Sequence, residues 1–254
     1  MKILKNKIFT SPSDLNNFVS CKYLIKNEIK FLNGEIQRNQ ESIDKRLWKE
    51  FGLKHENKHF KLLKEKYKKA ISIKQDLKEE ERFKKTLKAI KEGFDLIYHA
   101  YFIDDNFRGE ADFLIKTNTK SNMGDYSYEV YDTKVSRKPR PRHIYQITAY
   151  SSMLSKIQGN VPEGMYLIDG SDIIHKYKTK EFLDFYLFTK NNFEIYLKNI
   201  SKENIYPEKN SNCAVCDYTE VCENIWEKDN YINQVAKINR SQIEKLKKVG
   251  VTTV

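Results

Sequence analysis

The chain has 254 residues, with 46 Lys and Arg against 35 Asp and Glu, for a formal net charge of +11. A hydrophobic fraction of 39% with 13% aromatics sustains a folded core beside 32% charged residues, which excludes a disordered polyelectrolyte. The longest apolar runs, such as GMYLI and FYLF, are too short to span a bilayer, and the N-terminus lacks the features of a secretory signal, so a cytoplasmic location is expected.

The positive balance suits a polyanionic partner such as a nucleic acid. Lysines that merely solvate helix faces give the same total, so clustering has to decide. In chain order, TSPSDLNNFVSCKYLIKNEIK begins as a helix start and sets Leu15, Phe18, Val19 and Lys22 at helical spacing. Residues 42–92 read as long charged helices with Leu47, Trp48, Phe51, Leu62, Leu63 and Tyr67 as an apolar stripe. DLIYHAYFIDDNFRGEADFLIKT then reads as a β-hairpin turning at Asp-Asp-Asn, and YSYEVYDTKV as a third strand. Residues 142–157 return to helix behind Pro139 and Pro141, EGMYLIDGSDIIHKYKT is a strand pair, and residues 181–200 are helical. Helices, three strands, helix, strands and helix imply a mixed α/β core. The tail INRSQIEKLKKVGVTTV resembles the first helix and turn of a helix-hairpin-helix that stops before its second helix; a frayed terminal helix reads equally well.

Residues two apart on a strand point to the same side, so Asp132 and Lys134 project together, as do Glu110 and Asp112 on the strand before. Neighbouring strands can bring Asp112 and Asp132 close, and two convergent carboxylates repel unless a cation such as Mg²⁺ or Mn²⁺ lies between them. The same D-x-K spacing recurs at Asp76 and Lys78, but there in a run that reads as charged helix, whereas Asp132 lies in an apolar strand where an unpaired charge is expensive. His55 precedes the strands on a helix, and Gln146 and Tyr150, four apart, share a helix face after them. Between lie Arg137, Lys138, Arg140 and Arg142, a basic segment stiffened by two prolines and suited to phosphates.

The cysteines are four: Cys21, and Cys213, Cys216 and Cys222 in CAVCDYTEVC. One distant thiol plus C-x2-C-x5-C favours a metal centre over disulfides, either zinc or an iron–sulfur cluster by ligand count.

Taken together, Gly52 with His55, Gly109-Glu110-Ala111-Asp112, Asp132-Thr133-Lys134 and Gln146 with Tyr150 resemble the PD-(D/E)XK nuclease superfamily, in its RecB-like branch. The resemblance implies a restriction-endonuclease-like core: a central mixed sheet flanked by helices, with an N-terminal helical insertion and a cysteine-ligated cluster joining the two ends. It implies that His55, Asp112, Asp132 and the Thr133 carbonyl bind Mg²⁺ or Mn²⁺, that Lys134 positions or activates water, and that Gln146 and Tyr150 brace the site and contact DNA. Asp132 stands where many relatives carry Glu. The one-plus-three cysteines are similar to those of iron–sulfur exonucleases of the AddB and CRISPR-associated types, which implies a structural [4Fe–4S] cluster at Cys21, Cys213, Cys216 and Cys222, with zinc as the alternative. Similarity extends over nearly the whole chain to an uncharacterised group of RecB-like nucleases whose nuclease module is followed by further domains. Residues 1–228 are accordingly read as the nuclease domain and 229–254 as a connector with the truncated hairpin segment.

The expected activity is metal-dependent DNA hydrolysis on single strands or ends, in repair, recombination or defence. The alternatives are a non-catalytic nucleic-acid-binding module of a larger helicase–nuclease assembly and a CRISPR spacer-precursor nuclease. Among other residues, His59 is expected to be a solvated helix residue, His175 an ordinary strand residue, and Trp48, Tyr145 and Tyr166 core residues rather than base-stacking platforms; Glu110 either joins Asp112 or pairs with Arg108.

Overall fold

The computed structural model describes residues 1–5 and 7–254. Strands β1 (Lys2–Leu4) and β2 (Lys7–Phe9) pair antiparallel ahead of helix α1 (Pro12–Ser20). Ser11 caps α1: its N–H donates to the Asp14 carboxylate at 2.8 Å while its hydroxyl accepts from the Asp14 N–H, and Pro12 presets the first turn. Leu15 and Phe18 turn into the core, whereas Val19 stays exposed. The extended backbone of Cys21 (φ −163°) breaks the run before α2 (Lys22–Leu32).

Next come α3 (Ile43–Lys66), β3 (Ala70–Ser72), α4 (Glu79–Lys91), β4 (Leu96–Asp104), β5 (Phe107–Thr117), β6 (Ser127–Thr133), α5 (Pro141–Gln158), β7 (Gly164–Ile168), β8 (Ile174–Lys178), α6 (Lys180–Asn199), α7 (Thr219–Lys228) and α8 (Arg240–Lys248). Strands β3 to β8 form one six-stranded sheet in chain order. It is mixed: β3 with β4 and β6 with β7 run parallel, and the other neighbours antiparallel. Strand β3 breaks the span expected to be continuous helix, and Asp76, Leu77 and Lys78 fall in the turn after it rather than on a helix.

One face of the sheet carries the main core, where Ile97, Phe102, Leu114 and Val130 meet Leu15 of α1, Ile90 of α4, Ile147 and Leu154 of α5 and Phe193 of α6. The other face is smaller. Leu96, Tyr98, Phe113 and Ile115 receive Phe60, Leu63 and Tyr67 from α3 and its C-cap, with Phe60 stacked on Tyr98 at 4.1 Å. Each such apolar side chain contributes about 1.5–3 kcal/mol on full burial. The stripe expected to anchor α3 is therefore only partly used: Leu63 and Tyr67 pack on the sheet, while Leu47, Trp48, Phe51 and Leu62 are exposed.

Strands β4 and β5 change face together. Leu96 and Tyr98 point toward α3, but beyond His99 it is Ala100 and Phe102 that face the main core; on β5, Phe113 and Ile115 face α3 and Ala111 the main core. The switch falls at His99, whose φ of 58° lies in the left-handed region, between the pairs Tyr98↔Phe113 and Ala100↔Ala111 of one unchanged register. Asp112 stands opposite His99 in that register. The C-terminal stretch folds back onto α7: Ile243 of α8 packs with Trp226, Tyr231 and Ile232, and Tyr231 pairs with Thr253.

Candidate active site

Strands β5 and β6 pair from Thr117↔Ser127 to Phe113↔Tyr131, and past that point lie Asp112 and Asp132. Asp112 accepts two hydrogen bonds from Thr133, from the backbone N–H and the hydroxyl, both at 2.7 Å. Asp132 is fully buried and ion-pairs with Lys134, the next residue but one along the same edge. Its second oxygen, Oδ1, is buried without a hydrogen-bond partner. Burial, and then the charge of Asp132, push the Asp112 carboxyl well above the usual carboxylate range. Burial also pushes Asp132 up, against the pull of Lys134. For Lys134 burial works toward the neutral amine, but Asp132 and Asp112 outweigh it and hold the ammonium above its usual range.

Helix α5 covers this end of the sheet. Gln146 donates its amide N–H to the Tyr150 hydroxyl at 2.8 Å, and burial beside Asp132 keeps that phenol strongly neutral. The ring of Tyr150 lies over Gly109 of β5, where an added Cβ would stand 2.7 Å from it. Around the start of α5, Arg137, Lys138, Arg140 and Arg142 are all exposed, and no ion pair involves them among the described residues. His143, one residue on, is buried; burial and the charges of Lys134, Arg142 and Arg140 push it down to about 3, so it stays neutral and its Nδ1 accepts from the Arg140 N–H.

Helix α3 contributes from the other side, and here the arrangement departs from the sequence reading. The side chain whose charge bears on Asp112, Asp132 and Lys134 together is Glu56. His99 fixes it, with the His Nε2 and Glu56 Oε1 at 2.6 Å. His55 instead sets its Nδ1 3.9 Å from Asp172 in the β7–β8 turn and its ring edge-on to His59, leaving its own Nε2 buried and unpartnered. His59 is not solvated: it is buried and bonds Asp172 at 2.9 Å. His55, His59 and Asp172 bring three ligand atoms within 4.8 Å of one another. Glu56, the residue after His55 on α3, carries no motif of its own in the sequence. The available signal was its spacing with Phe60 and Leu63, at steps of four and three, which marks the face that docks on the sheet.

Other expectations are corrected as well. Glu110 does not pair with Arg108; it pairs with Arg82 and accepts from Gln75, while Arg108 binds Glu79 and Glu80. His175 does lie in a strand, β8, and bonds the buried Asp169 at 2.7 Å. Trp48 is 60% exposed, whereas Tyr145 packs against the main core and Tyr166 stacks on Tyr131.

Residues 30–223 match the profile of the PD-(D/E)XK nuclease superfamily, about three quarters of the chain. The chain belongs to the PD-(D/E)XK nuclease superfamily. A search of curated proteins finds no match. Members of the superfamily are generally nucleases that hydrolyse phosphodiester bonds, typically with Mg²⁺ or Mn²⁺. The mixed six-stranded sheet flanked by helices fits the restriction-endonuclease-like core of such nucleases.

At the far end of this PD-(D/E)XK chain, Cys21, Cys213, Cys216 and Cys222 all line one cavity. Cys21 comes from the break between α1 and α2, Cys213 and Cys216 from a 3₁₀ turn at Ser211–Val215 and its cap, and Cys222 from α7. Burial and the neighbouring thiols of Cys216, Cys21 and Cys213 push Cys222 up to about 12. Asn27 points its amide at the Cys222 sulfur, and the Asn210 N–H donates to Cys213 at 3.4 Å. Four soft donors line that cavity, a donor type that suits zinc or an iron–sulfur cluster.

Proposed function

We propose that this PD-(D/E)XK protein is a divalent-metal-dependent deoxyribonuclease acting on single strands or DNA ends, in repair, recombination or defence. The observation that carries the reading is the buried pair Asp112 and Asp132 beside Lys134, with Asp132 Oδ1 left without a partner. Asp112, Asp132 and the nearby Glu56 outnumber the one ammonium of Lys134, so a divalent cation would complete the charge balance when all three are ionised, and oxygen donors suit Mg²⁺ or Mn²⁺. Asp112, Asp132, Glu56, the Thr133 carbonyl and the free Nε2 of His55 are the donors assigned to it. When bound, the metal supplies positive charge that polarises the phosphate and lowers the pKa of its water toward neutrality.

The residues of the chain do the rest. Lys134, kept protonated by its two carboxylates, places a fixed positive charge toward the oxygens that gain charge in the transition state. Because Gln146 donates to the oxygen of Tyr150, the phenolic hydrogen remains free to donate into the site. Arg137, Lys138, Arg140 and Arg142 hold the flanking phosphates in register. The four cysteines hold a structural [4Fe–4S] cluster, supported by the cavity they share, and further domains or a helicase supply longer DNA.

Degradation of labelled single-stranded DNA with Mn²⁺ tests the reading, with Asp112→Ala and Lys134→Ala alongside. Each variant should lose at least roughly 100-fold in rate, the scale of removing one group that stabilises transition-state charge. Degradation at wild-type rates by either variant rejects the assignment.

A further inference from the structure

The N-terminal half of α3 stands clear of the sheet and shows a bare aromatic pair. Trp48 and Phe51 are 60% and 51% exposed, with ring centroids 6.1 Å apart at 66°. Leu47 and Leu62, 44% and 51% exposed, extend the strip along the helix. Steps of three and four residues run from Trp48 to Phe51 to His55, so the pair shares a helix face with His55. Trp48 lies eight residues before Glu56, roughly 12 Å along the helix axis from it.

Cations border this strip. Arg46, Lys54 and Lys61 are exposed and take part in no ion pair among the described residues, and the Lys54 ammonium lies 5.9 Å from the Phe51 ring centre. A protein partner seeks an apolar patch depleted of lysine at its centre, and this strip is interleaved with it. Duplex DNA buries its base faces in its own stack. Exposed rings beside uncommitted cations are the composition that binds single strands, because every base offers a flat face and every nucleotide a phosphate.

We infer that Trp48 and Phe51 form a stacking platform for the bases of a single-stranded nucleic acid leading to the active site, with Arg46, Lys54 and Lys61 on its phosphates. The inference rests on the reading of the chain as a nuclease and names the form of substrate strand that α3 receives.

Tryptophan emission tests it directly, because Trp48 is exposed and the other tryptophan, Trp226, is 4% exposed. An oligothymidylate of about twenty nucleotides, long enough to cover such a groove, is titrated without divalent metal while binding is followed in parallel by anisotropy. Stacking predicts quenching that saturates with the binding curve, and its loss in Trp48→Phe, which keeps the affinity within about twofold because phenylalanine still stacks. The double variant Trp48→Ala with Phe51→Ala should bind at least roughly tenfold more weakly. A blunt duplex of equal length should not quench. Oligonucleotide binding without quenching, or wild-type affinity in the double variant, overturns the platform. So does a shift of the Trp48 emission with protein concentration alone, which marks the face as covered by a second copy. The two readings separate cleanly: quenching by a protein that cleaves nothing with Mn²⁺ removes the nuclease reading, and cleavage without quenching removes only the platform.

Discussion

Asp112 gains two hydrogen bonds from Thr133, yet burial and the neighbouring Asp132 still favour its protonated form. The folded state therefore binds that proton more tightly than the unfolded chain does. Stability from this source is fully present below the unfolded value near 3.9 and is lost as pH rises through the raised folded value. Asp112→Asn keeps an oxygen for the Thr133 N–H and removes the charge. Without metal, the variant should thus melt about 2–4 °C above wild type at about pH 8, a gain of roughly 1 kcal/mol, and show no gain at about pH 4. Saturating Mn²⁺ should reverse the order, raising only the wild type, by roughly 5–10 °C at a hundredfold excess over Kd. Glu56 gives a second prediction at this scale. Glu56→Gln keeps the contact with His99 but removes the charge near both aspartates, and Mn²⁺ affinity measured by calorimetry should fall roughly 10–100-fold. The spacing of Asp112, Asp132 and Lys134 was legible because charges inside apolar strands have few innocent explanations. Glu56 was not, since a glutamate in a helix with so many charged neighbours looks like any solvated residue until its helix is docked.

Between elements, the contact that shapes the site is β5 against α5. Gly109 has ordinary backbone angles, so its absence of a side chain serves the Tyr150 ring that lies against it. Gly109→Ala should displace that ring, costing about 1–3 kcal/mol in urea unfolding and lowering the hydrolysis rate, because the hydroxyl bonded to Gln146 moves with the ring. Wild-type rate in a stably folded Gly109→Ala protein would show that the ring's position does not matter. Alternation of apolar residues placed the strands well, but it could not show the change of face at His99, since that depends on one left-handed residue and period-two patterning assumes none. Helix α3 was ambiguous for a related reason. It carries two apolar stripes, one through Phe60 and Leu63 and one through Trp48, Phe51 and Leu62, and periodicity alone does not say which one meets the sheet.

Across the whole molecule, the cysteine cavity brings the junction of α1 and α2 together with a segment that follows the last strand of the sheet. A metal held there only by the folded arrangement would add its binding energy to folding. The surroundings are already organised for it: Glu28 accepts from Tyr218, Arg38 bridges the same pair, and Trp226 donates to the Pro207 carbonyl at 2.8 Å. The Glu28, Arg38 and Tyr218 contacts join α2 to the C-terminal segment without any thiol, so removing a single cysteine should loosen the clasp rather than unfold the sheet. Cys216→Ser, purified anaerobically, should lose its bound metal and melt roughly 4–8 °C below wild type, the shift expected for about 2 kcal/mol in a chain of this size. Wild type stripped by a chelator should melt with the variant. If stripping leaves the wild-type melting temperature unchanged, the thiols are packing groups and the clasp is made by the hydrogen bonds alone. Metal analysis of the same preparations decides the occupant, iron with sulfide for a cluster and zinc for a single ion, and hydrolysis by the stripped protein should weaken less than in Asp112→Ala, because the cavity acts on the fold and not on the phosphate.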